Sequence, residues 1–148
     1  MKTHPYLRAF LAGVFVPTLI LPLMLTAFIV LRVVLQTPIP IERGIIFPMA
    51  LVPLLWGLWN MLWLASHART HLHAGPHGAL LPFVLVPGGT AIGLSLGVLS
   101  LEARHATWFG AVTVPYGLVA AGFCLALIVY YLAWKYIVAF VNRELGIA

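Results

Sequence analysis

The chain of 148 residues is 63% hydrophobic and only 7% charged, with a net charge of +5 at pH 7. Soluble domains are about 45–50% apolar and about 25% charged, so this composition excludes an ordinary water-soluble fold. Disorder is excluded because it requires low hydrophobicity, and a disulfide scaffold is excluded because Cys124 is the only cysteine. The basic residues are scattered singly and form no patch, which excludes a nucleic-acid interface. The composition predicts an integral membrane protein whose main surroundings are the lipid bilayer.

Four apolar stretches are long enough to cross the bilayer as helices, since about 20 apolar residues span about 30 Å of hydrocarbon. The predicted spans are residues 9–31, 44–65, 79–101 and 109–133. Their apolar runs are continuous rather than alternating, which disfavours a β-barrel. The predicted fold is therefore an all-α integral membrane protein, a single compact bundle of four transmembrane helices with short loops.

The lysines and arginines near the ends of the predicted spans indicate an orientation, because cytoplasmic loops carry more of them. One side of the membrane would carry Lys2, Arg8, Arg69, Lys135 and Arg143, and the other side Arg32, Arg43 and Arg104. The larger group predicts that both termini are cytoplasmic, in a plasma or inner membrane. A reporter at Pro40 should then lie on the external side.

Three glycines in the third predicted span, Gly89, Gly93 and Gly97, follow each other at every fourth residue. This spacing places them on one face of a helix. Because glycine has no Cβ, two helix backbones can approach closely there. The motif predicts tight contact with another helix, either in the same chain or in a second copy. Gly117, Ala121 and Gly122 form a weaker group of small residues in the fourth span.

An aromatic stripe follows one side of the second predicted span and consists of Trp56, Trp59, Asn60 and Trp63. Trp63 is near the predicted membrane surface, where tryptophan is common. Trp56 lies seven residues deeper, about 10 Å by helical rise. One interpretation is a groove for a flat ligand or lipid. The other is helix packing, with an interhelical hydrogen bond from Asn60.

The loop after the second span contains four histidines, His67, His71, His73 and His77. If the helix continues, His67 and His71 share a face, and the Gly-Pro pair before His77 could reverse the chain toward them. Neutral imidazole binds divalent transition metals, so this is the candidate metal site. The loop has no carboxylate or thiolate and no H-E-x-x-H motif. A pH-sensitive contact and a plain solvated loop are the alternatives.

The predicted spans contain no carboxylate, lysine or histidine, which argues against a pump, a proton-coupled transporter or a voltage sensor. No catalytic constellation is evident, so an enzyme is not favoured. The leading prediction is a membrane subunit that associates with itself, as a homo-oligomer, or with a partner membrane protein. The alternatives are a small-solute or lipid transporter, and a metal- or cofactor-binding membrane protein that uses the histidine loop.

Overall fold

The computed structural model describes residues 4–38 and 42–147, which are mostly helical. The α-helices in chain order are α1 (Pro5–Ile29), α2 (Phe47–Ala50), α3 (Val52–Thr70), α4 (Ala74–Leu80), α5 (Pro82–Ser95), α6 (Tyr116–Leu132) and α7 (Ala139–Glu144). Wider π-helical segments adjoin them, Val30–Val34 after α1, Glu42–Ile46 before α2 and Ala133–Val138 between α6 and α7. Lys2 and Pro40, which enter the predicted orientation, lie outside the described residues.

Within the described ranges, three helical stretches are long and apolar enough to cross a membrane, Pro5–Val34, Ala74–Ser95 and Tyr116–Glu144. They correspond to the first, third and fourth predicted spans. The second predicted span, 44–65, is interrupted at Leu51, where α2 ends and α3 begins. The last turn of α3 carries basic residues and the helix extends to Thr70. Helix α3 has 19 residues, but it is not among the helices of the described ranges that are both long and apolar enough to cross a membrane, so a fourth such helix is not shown.

A small antiparallel sheet lies between α5 and α6; its first and third strands fall inside the predicted third and fourth spans, and its second strand falls in the predicted connection between them. Its strands are β1 (Leu99–Leu101), β2 (His105–Trp108) and β3 (Val112–Pro115), in the order β1-β2-β3. As a result, α5 ends at Ser95 rather than 101, and α6 begins at Tyr116 rather than 109. The last helix continues past the predicted end at 133 as far as Glu144. The all-α prediction thus describes most of the chain but misses this sheet.

The backbone at the sheet explains why the helices stop there. Gly97 has a φ of 65° and turns the chain out of α5. Phe109 and Gly110 have φ values of 57° and 66°, so the turn between β2 and β3 is left-handed. The Val-Thr-Val run of β3 is β-branched, which favours a strand. Pro115 is extended, with ψ 144°, and immediately precedes α6.

Helices α1 and α3 pack backbone against backbone through two glycines. A Cβ added to Gly13 would lie 2.5 Å from the carbonyl oxygen of Trp56 and 2.8 Å from the Cα of Gly57. A Cβ on Gly57 would lie 2.6 Å from the ring of Phe10. These two positions therefore set the distance between α1 and α3, as small residues do in membrane helix pairs.

The hydrophobic core lies where α1, α3, α4 and the segment after α6 meet. Its buried residues are Val16, Trp56, Leu81, Trp134 and Val138. Helix α6, which the structure describes throughout, has no buried residue, and the buried residues of α5 are Pro82 and Gly93. One half of the chain is thus tightly packed. The other half, formed by α5 and α6, is only partly covered by the rest of the described chain.

Candidate functional site

A buried pair of amides connects three parts of the chain. The side chains of Asn60 and Asn142 are both 0% exposed. Asn60 Nδ2 donates a hydrogen bond of 2.8 Å to Asn142 Oδ1, and Asn142 Nδ2 donates one of 3.2 Å to Asn60 Oδ1. Asn60 Nδ2 also donates to the carbonyl oxygen of Ala9 at 2.7 Å. The amides thereby tie α3 to α1 and α7, and the predicted interhelical hydrogen bond from Asn60 is present.

Each of the three tryptophans of the aromatic stripe packs against at least one other aromatic ring, and no two of them share a partner. The Trp56 ring lies 5.0 Å from that of Tyr130 and 5.6 Å from that of Trp134. The other contacts of the stripe are Trp59 with His77 at 5.0 Å and Trp63 with His67 at 4.8 Å. Such distances are typical of packed aromatic pairs. These contacts correspond to the packing interpretation of the stripe.

His77 lies in the core rather than with the other loop histidines. His77 lies in α4 and is 5% exposed. Its Nε2 lies 3.0 Å from the carbonyl oxygen of Trp59, to which it donates in the tautomer that fits, and Trp59 Nε1 donates to the carbonyl oxygen of His77 at 2.9 Å. The reciprocal bonds fasten α4 to α3, so this histidine has a structural partner.

The other three loop histidines, His67, His71 and His73, line a shallow surface pocket of about 440 Å³ beside Trp63. His67 lies in the last turns of α3, and His71 ends that helix with a φ of 51°. In the part of the chain that the structure describes, no three His, Cys, Asp or Glu side chains are grouped closely enough to hold a metal ion. The histidine metal site therefore remains a prediction, and His77 is separated from the other three.

A zinc titration tests this prediction. We expect His67 and His71 to supply the donors, since both border the pocket and a neutral imidazole is a good zinc ligand. Isothermal titration of the detergent-purified chain with Zn²⁺ should show binding that the His67→Ala/His71→Ala double variant loses. His4→Ala, a change at an exposed histidine just before α1, is the control. Unchanged binding by the double variant contradicts the site.

The glycines of the predicted packing motif do not share one helix. Gly89 and Gly93 belong to α5, whereas Gly97 lies in the left-handed turn after it. A Cβ on Gly93 would lie 3.1 Å from the Cβ of Leu99, so β1 covers it, and a Cβ on Gly89 would meet no atom of the described chain within 4 Å. Close helix contacts within the described chain are instead at Gly13 and Gly57, between α1 and α3, and at Gly78 of α4 against Trp134, and the sequence reasoning missed them. The Ala9-x-x-x-Gly13 spacing was an available signal.

Two adjoining cavities border α5 on the side that the glycines leave open. The first, of about 410 Å³, is lined by Met49, Leu51, Val52, Leu55, Val84, Leu85, Gly88, Gly89, Ile92 and Tyr130. The second, of about 250 Å³, is lined by Arg43, Leu85, Val86, Gly89, Thr90, Gly93, Val98, Trp108 and Val119. They share Leu85 and Gly89, and we call them together the α5 cleft. Among the described residues its lining is almost entirely apolar, and Arg43 is the charged residue.

Helix α6 has small residues on a face that the described chain leaves uncovered. A Cβ on Gly117 would meet no atom of the described chain within 4 Å, and the same holds for Gly122, which lies on another side of the helix. Cys124, two turns after Gly117, is exposed and its thiol is free. This face could approach another helix closely.

Comparison of the chain with known protein families, with curated proteins and with solved structures gave no match.

Proposed function

We propose that this chain is an integral membrane subunit, with both termini cytoplasmic, that acts by associating with other membrane helices. The first partner to consider is a second copy of itself. The observation that carries the proposal is the exposure of α6, which has 17 residues, none of them buried by the part of the chain that the structure describes. So much uncovered apolar surface is tolerated in lipid and is also a surface on which another helix can pack.

The contact we propose lies along one face of α6. Gly117, Ala121 and Cys124 recur at intervals of four and three residues, which places them on the same side of a helix. All three are exposed in the single chain. Small side chains at such spacings let two helices approach within van der Waals distance in a bilayer, where hydrophobic driving force between helices is absent.

Lipid handling is the second candidate function, because the α5 cleft gives it a specific site. The cleft borders α6 through Val119 and Tyr130, which lie on the other side of that helix from Gly117. The two functions are therefore compatible. A metal-dependent function is less well supported, since His77 has other partners in the core.

Oxidative cross-linking at the native cysteine tests self-association. A disulfide forms only when two Cα atoms are about 4.4–6.8 Å apart, and the proposed contact brings the Cys124 residues of two copies together. In carbonate-washed membranes, mild oxidation should therefore trap a disulfide-linked dimer. Gly117→Leu should reduce the trapped dimer several-fold, since its side chain separates the helices. Gly122→Leu is the matched control, because Gly122 is equally uncovered but lies about 140° around the helix from Gly117.

Two outcomes contradict this proposal. One is an absence of dimer in membranes where Cys124 still reacts with a maleimide. The other is a dimer that both leucine variants preserve equally, because the face containing Gly117 would then not be the contact. Loss of the chain from carbonate-washed membranes contradicts the membrane location itself.

A further inference from the structure

The α5 cleft has the length of one membrane leaflet. Its wall on α5 extends from Val84 to Gly93, which are nine residues apart in one α-helix. At 1.5 Å of rise per residue this distance is about 14 Å. The hydrocarbon of one leaflet is about 15 Å deep, half of the ~30 Å core. The cleft therefore matches a group that enters one leaflet, whereas a crossing helix needs the length of both.

The chemistry of the cleft changes from one end to the other. Leu55 and Tyr130 line the cavity far from Arg43, and the walls between are aliphatic or glycine. Arg43 and Trp108 both line the second cavity, and this pair of residue types is common at the membrane surface. A polar solute would find few groups to orient it along these walls. In an amphiphile with an anionic head, the head would be complementary to Arg43 and the apolar tail to the aliphatic walls.

The charge at the mouth favours an anion. Glu42 Oε1, in the residue next to Arg43, lies 3.9 Å from Nη2 of Arg32, and the described residues include no ion pair between Glu42 and Arg43. A guanidinium binds phosphate oxygens through paired, charge-assisted hydrogen bonds. A lipid phosphate at the mouth would thus be held by Arg43 while its acyl chain lies along the aliphatic walls.

We propose that the α5 cleft binds one acyl chain of an anionic glycerophospholipid and that Arg43 pairs with the phosphate of its headgroup. Each CH₂ of the chain that the cleft encloses adds apolar contact. The proposal rests on the membrane location in the proposed function, but it does not depend on association through α6.

Gly88 provides a way to fill the cleft without disturbing the protein. It lines the larger cavity, and a Cβ added there would meet no atom of the described chain within 4 Å. A leucine side chain at this position would occupy the space of the acyl chain. Gly88→Leu should therefore weaken lipid binding regardless of the headgroup, whereas Arg43→Gln should weaken binding only through the headgroup.

The experiment is native mass spectrometry of the delipidated full chain, titrated with phosphatidylglycerol and with phosphatidylcholine of the same acyl chains. The wild type should prefer phosphatidylglycerol. Arg43→Gln should weaken its binding about tenfold, the effect of losing a charged hydrogen bond, and abolish the preference. Gly88→Leu should weaken binding of both lipids. Arg104→Gln and Gly117→Leu, which alter an arginine and a glycine outside the cleft, should bind like the wild type.

Several results would overturn the lipid site. The site is excluded if both Arg43→Gln and Gly88→Leu bind lipid as tightly as the wild type. It is also excluded if Arg43→Gln still prefers phosphatidylglycerol. A change in oligomer size for Gly88→Leu, with lipid binding unchanged, assigns the cleft to a helix instead. If Gly88→Leu does not fold, Arg43→Gln, at an exposed residue, decides alone. Failure of the Cys124 cross-link with lipid binding intact rejects only the association through α6.

Discussion

Replacing Asn60 by leucine is expected to lower the free energy of unfolding by about 2 kcal/mol, the cost of leaving buried polar groups without partners. The change removes the hydrogen bonds that Asn60 makes to Asn142 and to the carbonyl oxygen of Ala9. Both asparagines are fully buried, so water cannot replace the lost bonds. The measurement is denaturant unfolding in detergent micelles, followed by tryptophan fluorescence.

A double-mutant cycle identifies the amide pair as the cause. Asn142→Leu alone should also destabilise the chain, because it leaves the Asn60 side chain partly unsatisfied. The double variant Asn60→Leu/Asn142→Leu should lose less than the sum of the two single changes, since neither amide is then left without its partner. Strictly additive losses would show that the two side chains act independently. Ser95→Ala, at an exposed serine of α5, is the control for a small local change.

The partner of Asn60 shows what the sequence could and could not predict. A polar amide inside an apolar stretch requires a hydrogen-bond partner, so a contact with another helix was predictable. The identity of that partner was not. Asn142 lies after Lys135, beyond the predicted end of the fourth span, and only the folded chain brings the last helical segment back to α1 and α3.

The sheet between α5 and α6 was missed for a different reason. Short apolar runs such as Leu99–Leu101 have no periodicity that separates a strand from a buried helix. The signals were the two glycines that turn the chain, Gly97 and Gly110, and the Val-Thr-Val run that follows. Pro115 at the start of α6 fits the same interpretation. Together they outweigh the hydrophobicity that made 79–101 resemble one continuous helix.

The glycines show that spacing alone does not locate a helix contact. Gly89, Gly93 and Gly97 have the better sequence pattern, yet the helix ends before Gly97. The contact within the chain forms at Gly13 and Gly57, which face each other from different helices. The sequence shows that a residue is small, but only the fold determines which helix backbone packs against it.

Replacing Gly13 by alanine is therefore expected to destabilise the chain, although alanine is the better helix former. Its methyl group would lie 2.5 Å from the carbonyl oxygen of Trp56 and 2.8 Å from the Cα of Gly57. These are backbone atoms, so α1 must move away from α3 to make room. Overpacking costs up to about 3 kcal/mol when backbone atoms must move, and the gain in helix propensity is about 1 kcal/mol, which gives a net loss of up to about 2 kcal/mol.

The same substitution at Gly88 should have the opposite sign. A methyl group there meets nothing within 4 Å of the described chain, so only the gain in helix propensity remains, and Gly88→Ala should be stabilising by up to about 1 kcal/mol. Unfolding of both variants in the same detergent measures the difference. If Gly13→Ala were as stable as Gly88→Ala, α1 and α3 would not be in backbone contact, and the distance between the two helices would have to be set elsewhere. A loss confined to Gly13→Ala instead locates the constraint where the backbone of α3 lies against Gly13, a contact that also holds Asn60 within reach of Ala9.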